Sequence, residues 1–145
     1  METGKRLAAG VIPIHTPSKS IMMIRRAMDQ SHPNTWSFFG GKFDEEDENP
    51  KETAKREFAE ESGIDDIKYY ISSKPLYIND DNHLRFYNYA AIFSDRFVPD
   101  LEKENEAQDY GWFTLDNLPH NMHPGAVELF TEKKDVIESL ISFYS

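Results

Sequence analysis

Cysteine is absent from the 145 residues, which excludes disulfides, thiolate metal sites and thiol nucleophiles together. Positive charge is scarce: 16 Lys and Arg stand against 26 Asp and Glu, a formal net charge of −10. A protein that coats nucleic acid needs a basic footprint, so nucleic-acid partners are not expected. Long hydrophobic runs are missing too. The longest mostly apolar stretch, residues 7–14, falls far short of the ~20 residues of a membrane-spanning helix. The opening residues 1–6 do not lead into a signal-peptide core. There is no repeat, no low-complexity tract and no linker rich in Gly, Ser or Pro. What remains is 39% apolar and 13% aromatic residues, enough for one core. The expectation is a single domain over residues 1–145, soluble and cytoplasmic, with no membrane partner. The acidic balance also sets a problem: an anionic substrate would need something positive recruited to meet it.

Two mostly apolar runs predict strands over residues 7–14 and 20–25, reversed by the turn Thr16-Pro17-Ser18-Lys19. Residues 27–35 are polar and read as a loop. Residues 36–39 form a short apolar strand that ends on Gly40-Gly41. The clearest helix runs over residues 50–62. Asn49 is its N-cap, Pro50 takes the first helical position, Glu52 stands three after the cap, and Gly63 supplies the left-handed stop. Ala54 and Phe58 mark its buried stripe. Residues 69–78 and 84–93 predict two strands around a polar turn at 79–82. Residues 94–108 read as an acidic loop and residues 110–115 as a further strand. From residue 124 to 143, Val127, Phe130, Ile137, Leu140 and Ile141 fall at helical spacing. A mixed sheet with helices on its faces accommodates this order best.

The chemistry lies in residues 40–64. Positions three and four apart share a helical face, so Glu57, Glu60 and Glu61 point the same way, with Arg56 one turn from Glu60. Three carboxylates on one face repel one another, and a hard divalent cation resolves that conflict. Mg²⁺ and Mn²⁺ prefer such oxygens and bridge carboxylates to substrate phosphates. A plain solvated acidic face with an Arg56–Glu60 pair is the alternative on spacing alone. The coincidence of Gly-Gly at a strand end, a loop, a capped helix start and a glycine after the last Glu favours the chemical reading.

This stretch resembles the Nudix hydrolases, whose box reads G-x5-E-x7-R-E-U-x-E-E-x-G-U, with U a bulky apolar residue. Arg56-Glu57-Phe58-Ala59-Glu60-Glu61-Ser62-Gly63-Ile64 matches the second half at every fixed position, and Glu48 lies eight residues before Arg56. Gly41 lies seven before Glu48 rather than six, read as one extra residue in the Asp44–Asp47 loop. Arg25-Arg26 at a strand end, Trp36 ahead of Gly-Gly, and residues 111–119 also look like family features. The resemblance implies an α/β/α sandwich with a mixed sheet between helices. It implies Mg²⁺, with Mn²⁺ as an alternative, held by Glu57, Glu60 and Glu61 and by the carbonyl of Gly41. The reaction implied is attack of a metal-activated water on a phosphorus of an X–O–P–O–P–Y linkage.

Further roles are carried over position by position. Arg56 orients the carboxylates and Glu57 serves catalysis. Glu48 supports the loop or the surroundings of the metal ligands and is counted with the substrate-binding residues, while its neighbours at 44–47 read as solvated charge. The general base is sought in the acidic loop before Trp112, where Glu106 stands best and Glu104 next. Arg26 is placed to reach substrate phosphates, Gly40 lies beside them, and Trp36, Phe38 and Phe39 offer either a stacking surface or core. The five histidines show no metal-ligand spacing. The expected function is a divalent-metal-dependent pyrophosphohydrolase acting on a nucleoside diphosphate linked to another moiety: a nucleoside triphosphate, ADP-ribose or nucleotide sugar, or dinucleoside polyphosphate. The alternative is a non-catalytic nucleotide sensor on the same fold, which the intact Glu57, Glu60 and Glu61 disfavour. An isoprenoid diphosphate isomerase is disfavoured by the missing cysteine. Monomer and homodimer are both compatible with the sequence.

Overall fold

The computed structural model describes residues 5–64, 66–102 and 107–145. The strand β1 (Arg6–His15) is the spine of the sheet. On one flank it pairs in parallel along its whole length with β7 (Leu84–Phe93), from Arg6 against Leu84 to His15 against Phe93. On the other flank its partner changes. Ala8–Val11 pair antiparallel with β4 (Phe39–Lys42), whereas Ile14 and His15 pair antiparallel with β2 (Ser20–Arg26). Pro13, which has no N–H to donate, falls in the interval between these two partners, where the ladder makes no demand on that flank.

The rest of the sheet builds outward. β3 (Trp36–Ser37) and β8 (Ala107–Thr114) both pair antiparallel with β2. β5 (Tyr70–Ile71) and β6 (Tyr77–Asp80) both pair antiparallel with β7. The sheet is therefore mixed and covered on both faces. Strand alternation sends Ala9, Val11, Met22, Ile24, Tyr89, Ala91 and Phe93 toward α1 (Pro50–Ser62), where Ala54 and Phe58 meet them. Ile12, Ile14, Ile21, Met23, Ala90 and Ile92 face α2 (Pro124–Tyr144), meeting Ala126, Leu129, Phe130, Ile137 and Ile141. Burial on both sides explains why the central strands read as nearly continuous apolar runs.

The α1 helix forms as its sequence dictates. The Asn49 side chain accepts from the Glu52 amide at 2.9 Å, Pro50 opens the helix, and Gly63 closes it at φ 71°. Four departures from the sequence reading have physical causes. Residues 36–39 are two pieces rather than one strand, because Trp36–Ser37 pair with β2 and Phe39 onward with β1; Gly40 and Gly41 consequently lie inside β4. Residues 69–78 are also two pieces. Five residues, 72–76 with Pro75 among them, stand between β5 and β6, while only Tyr89 and Ala90 separate their partners on β7. β8 begins at Ala107, three residues early, where it meets Arg26 across a bulge. The last helix breaks its helical geometry at Lys133, and its buried stripe runs through Leu129 rather than the exposed Val127.

Candidate active site

Where β1 changes partner, β2 and β4 diverge and a cleft opens between them. Ile24 and Arg26 of β2 line one wall, Phe38, Phe39 and Gly40 the other, and Glu61 of α1 reaches in from the side. The Gly40 amide donates to Glu61 Oε1 at 2.9 Å, which fixes that carboxylate at the cleft. Arg26 is held at the cleft by its own loop: its Nε donates to the Ser31 carbonyl at 2.7 Å and its Nη2 to the Ser31 hydroxyl at 2.9 Å. A cation and an anion thus stand on different elements around one opening.

One residue further along β4, the Glu57 carboxylate lies so close to Gly41 that a Cβ there would overlap it. Only glycine leaves that room. Arg56 then ties the acidic face together. Its Nη1 donates to Glu57 Oε2 at 3.1 Å and to Glu60 Oε1 at 3.3 Å, and its Nη2 donates to the Lys42 carbonyl at 3.1 Å. Its remaining donors go to Asp47, Nε to Oδ1 at 3.1 Å and Nη2 to Oδ2 at 2.9 Å. All five guanidinium N–H groups find acceptors. Asp47 also accepts from the Asp44 amide at 2.9 Å and the Thr53 hydroxyl at 2.8 Å. The hydrogen bonds from Arg56 hold the Asp47 carboxyl well below the usual carboxylate range, and burial only partly opposes them. Asp47 in turn raises the already high pKa of Arg56.

The structure brings together Glu57, Glu60, Glu61, Arg56, Gly40, Gly41 and Arg26, all singled out in the sequence. It sets Trp36 apart: the ring packs edge-on against Phe113 at 5.1 Å, with the Arg25 guanidinium 5.9 Å from its centroid, on the α2 side of the sheet. Phe38 borders the cleft, and its ring packs against Phe130 of α2 at 5.8 Å. Glu48 is exposed, and the reading of residues 44–47 as solvated charge is corrected by Asp47, whose side chain is 7% exposed. Glu106 and Glu104 lie outside the described residues. Sequence reasoning also passed over Asn34, which holds the Arg26 loop. Its side-chain oxygen accepts from Arg25 at 2.9 Å and from Gln108 at 3.1 Å, and its amide donates to the Arg26 carbonyl at 3.0 Å. Its left-handed backbone, φ 64°, suits an asparagine. A second unforeseen pair is His32 and His123, whose rings lie 4.4 Å apart. Burial, then the charges of His32 and Arg26, push the pKa of His123 down to about 4.

Whether the acidic face suits a divalent cation is a question of its donors. Among the described residues no three Asp, Glu or His side chains are gathered in a ready cage. Glu57 and Glu60 share Arg56, and Glu61 is turned to Gly40. The donors are nonetheless all hard oxygens on adjoining turns, and Glu57 sits in the hollow left by Gly41. That set fits Mg²⁺ or Mn²⁺ rather than a softer metal.

The family model described as the NUDIX domain matches residues 4–132. No curated protein matches the chain by sequence. Among solved structures, the MutT NUDIX hydrolase from Burkholderia pseudomallei is 21% identical with a TM-score of 0.67, over 88% of this chain and 96% of that one. A Nudix hydrolase from M. smegmatis, RenU, gives 16% identity and a TM-score of 0.73, over 94% and 88%. The Ap4A hydrolase from C. elegans gives 17% and 0.67, over 94% and 97%. At these identities the structural likenesses show a shared fold.

Proposed function

The chain belongs to the Nudix family of hydrolases, and on that premise we propose that it is a divalent-metal-dependent pyrophosphohydrolase. Its substrate in this reading is a nucleoside diphosphate linked to another moiety. The observation that carries the reading is the arrangement around the cleft: Glu57, Glu60 and Glu61 on one helix, against Gly40-Gly41 of β4, with Arg26 on the opposite wall. Glu57, Glu60 and Glu61, with the Gly41 carbonyl, would hold Mg²⁺ or Mn²⁺. When bound, such a cation supplies charge neutralisation on phosphate oxygens and a lowered pKa for water. Arg26 meets a phosphate from the β2 wall, its fork kept in place by Ser31. Arg56 holds Glu57 and Glu60 at a fixed orientation. Glu106 is assigned as general base and Gly40 as the floor beside the phosphates. The match over residues 4–132 supports treating the chain as one domain.

This arrangement answers the problem set by the net charge of −10. Glu57, Glu60 and Glu61 would hold divalent cations on the acidic face, and those cations would supply the positive charge that an anionic substrate needs there. No helix among the described residues is long and apolar enough to cross a membrane, which suits a diffusible small-molecule substrate; we place the enzyme in the cytoplasm. The test is a panel of nucleoside triphosphates, ADP-ribose, nucleotide sugars and dinucleoside polyphosphates, each incubated with Mg²⁺ or Mn²⁺. At least one is cleaved by the wild type and spared by a Glu60→Gln/Glu61→Gln variant. Metal-dependent turnover of none sinks the hydrolase assignment; full turnover by the double variant sinks the site.

A further inference from the structure

We propose that Asp47, and not Glu48, is the positioning residue that sets the acidic face, acting through Arg56. The inference rests on the hydrolase reading above for its catalytic consequence, but its geometry stands independently of it. Asp47 is the more buried partner of the pair, 7% exposed against 30% for Arg56. Both of its oxygens face the guanidinium, Oδ1 to Nε and Oδ2 to Nη2, in the parallel two-bond fork that fixes the plane of an arginine. The carboxylate is itself fixed, because the Asp44 amide and the Thr53 hydroxyl donate to it from the loop and from α1. Its rotamer is therefore set by three residues, Asp44 of the loop and Thr53 and Arg56 of α1, rather than by Arg56 alone. Glu48, one residue on, is exposed. Asp47 also stands six residues after Gly41, the interval that the box gives to its glutamate, so the extra residue falls between Asp47 and Arg56.

Two consequences follow for the acidic face. The first is orientation. With Nε and Nη2 anchored on Asp47 and on the Lys42 carbonyl, only Nη1 points at α1, where it meets Glu57 and Glu60. Release of the fork lets the guanidinium turn and leaves Glu57 without its fixed donor. The second is charge. Arg56 faces three carboxylates, Asp47, Glu57 and Glu60, so the cluster carries two net negative charges. Without the Asp47 charge it carries one, and the pull on a divalent cation falls.

The experiment compares Asp47→Asn, Asp47→Glu and Glu48→Gln in the full chain. Free Mn²⁺ is followed by electron paramagnetic resonance, and kcat and KM are measured on a substrate that the wild type cleaves. Asp47→Asn weakens Mn²⁺ binding and lowers kcat by about 10–100-fold, the usual scale for loss of a supporting partner, with KM moved much less. Asp47→Glu recovers most of the loss, and Glu48→Gln loses far less than Asp47→Asn in both Mn²⁺ binding and kcat. Mn²⁺ affinity and kcat unchanged in Asp47→Asn, or the loss appearing in Glu48→Gln, overturns the assignment. Independently of any variant's folding, the wild-type Arg56 Nε–H gives a slowly exchanging ¹⁵N–¹H signal; fast exchange of that proton overturns the clamp. Wild-type protein that binds no Mn²⁺ and cleaves nothing contradicts the hydrolase reading instead, and leaves the exchange measurement to judge the clamp.

Discussion

Gly41 and Glu57 make contact so close that a single methyl group decides the site. Gly41→Ala places a Cβ where the Glu57 carboxylate now lies. The side chain has to leave, while the extended backbone of β4 accepts alanine without strain. The expected outcome is a fall in kcat of about 10–100-fold, comparable to loss of a residue that orients a metal ligand. Circular dichroism shows an unchanged fold. His123 makes a second prediction at this scale. Its pKa in the folded protein is about 4 against an ordinary 6.5, chiefly from burial. Between those values the unfolded chain binds a proton that the folded chain refuses, so stability rises with pH across this window and levels off above it. The unfolding midpoint therefore drops as pH is lowered from 6.5 toward 4. In His123→Asn, whose side chain retains an acceptor for the Gly125 amide, the drop is shallower. A midpoint equally steep in both proteins contradicts the assignment.

At the scale of elements, α1 was legible almost to the residue because each of its signals is local. A cap, a proline, a three-residue interval and a terminal glycine lie within residues 49–63 and act on the nearest turn. Removing them tests that directly. Asn49→Ala costs about 1 kcal/mol by the loss of its bond to the Glu52 amide. Gly63→Ala costs about 1–2 kcal/mol because φ 71° is strained for any residue with a Cβ. Urea unfolding measures both, and a cost near zero at Gly63 contradicts the left-handed cap. The breaks at Phe38 and at residues 72–76 were not legible. They arise where one strand exchanges partners or where two runs of unequal length face each other, and both depend on residues distant in sequence. The exposure of Val127 has the same origin, since the stripe of α2 is set by how the helix lies on the sheet. Asp47 was missed for a related reason: the five consecutive acids at residues 44–48 look alike in sequence, and only the position of Arg56 selects one of them.

At the scale of the molecule, two cores share one sheet, and the cleft opens where that sheet splits. Phe58 links the helix of the site to the core beneath it. It is 1% exposed and its ring meets Phe39, Tyr69, Phe93 and Phe97. Phe58→Ala is expected to cost about 3–5 kcal/mol, with activity lost as α1 loosens; a cost below about 1 kcal/mol contradicts this placement. The composition excluded thiol chemistry and a nucleic-acid coat, and the spacing of Glu57, Glu60 and Glu61 pointed to cations and phosphates. The opposition of Arg26 and Glu61 across one cleft came only with the partner change along β1. The central claim is that this cleft cleaves a phosphoric anhydride with the help of a divalent cation. Phosphorus-31 NMR of a cleaved panel substrate tests it in one tube, before and after Mg²⁺ is added to metal-free enzyme. The account predicts that the spectrum is unchanged without the ion, then loses the resonances of the cleaved linkage and gains those of newly terminal phosphates once it is present, with no change for Glu57→Gln. Loss of the anhydride signal before Mg²⁺ is added, or at the wild-type rate in Glu57→Gln, would contradict it.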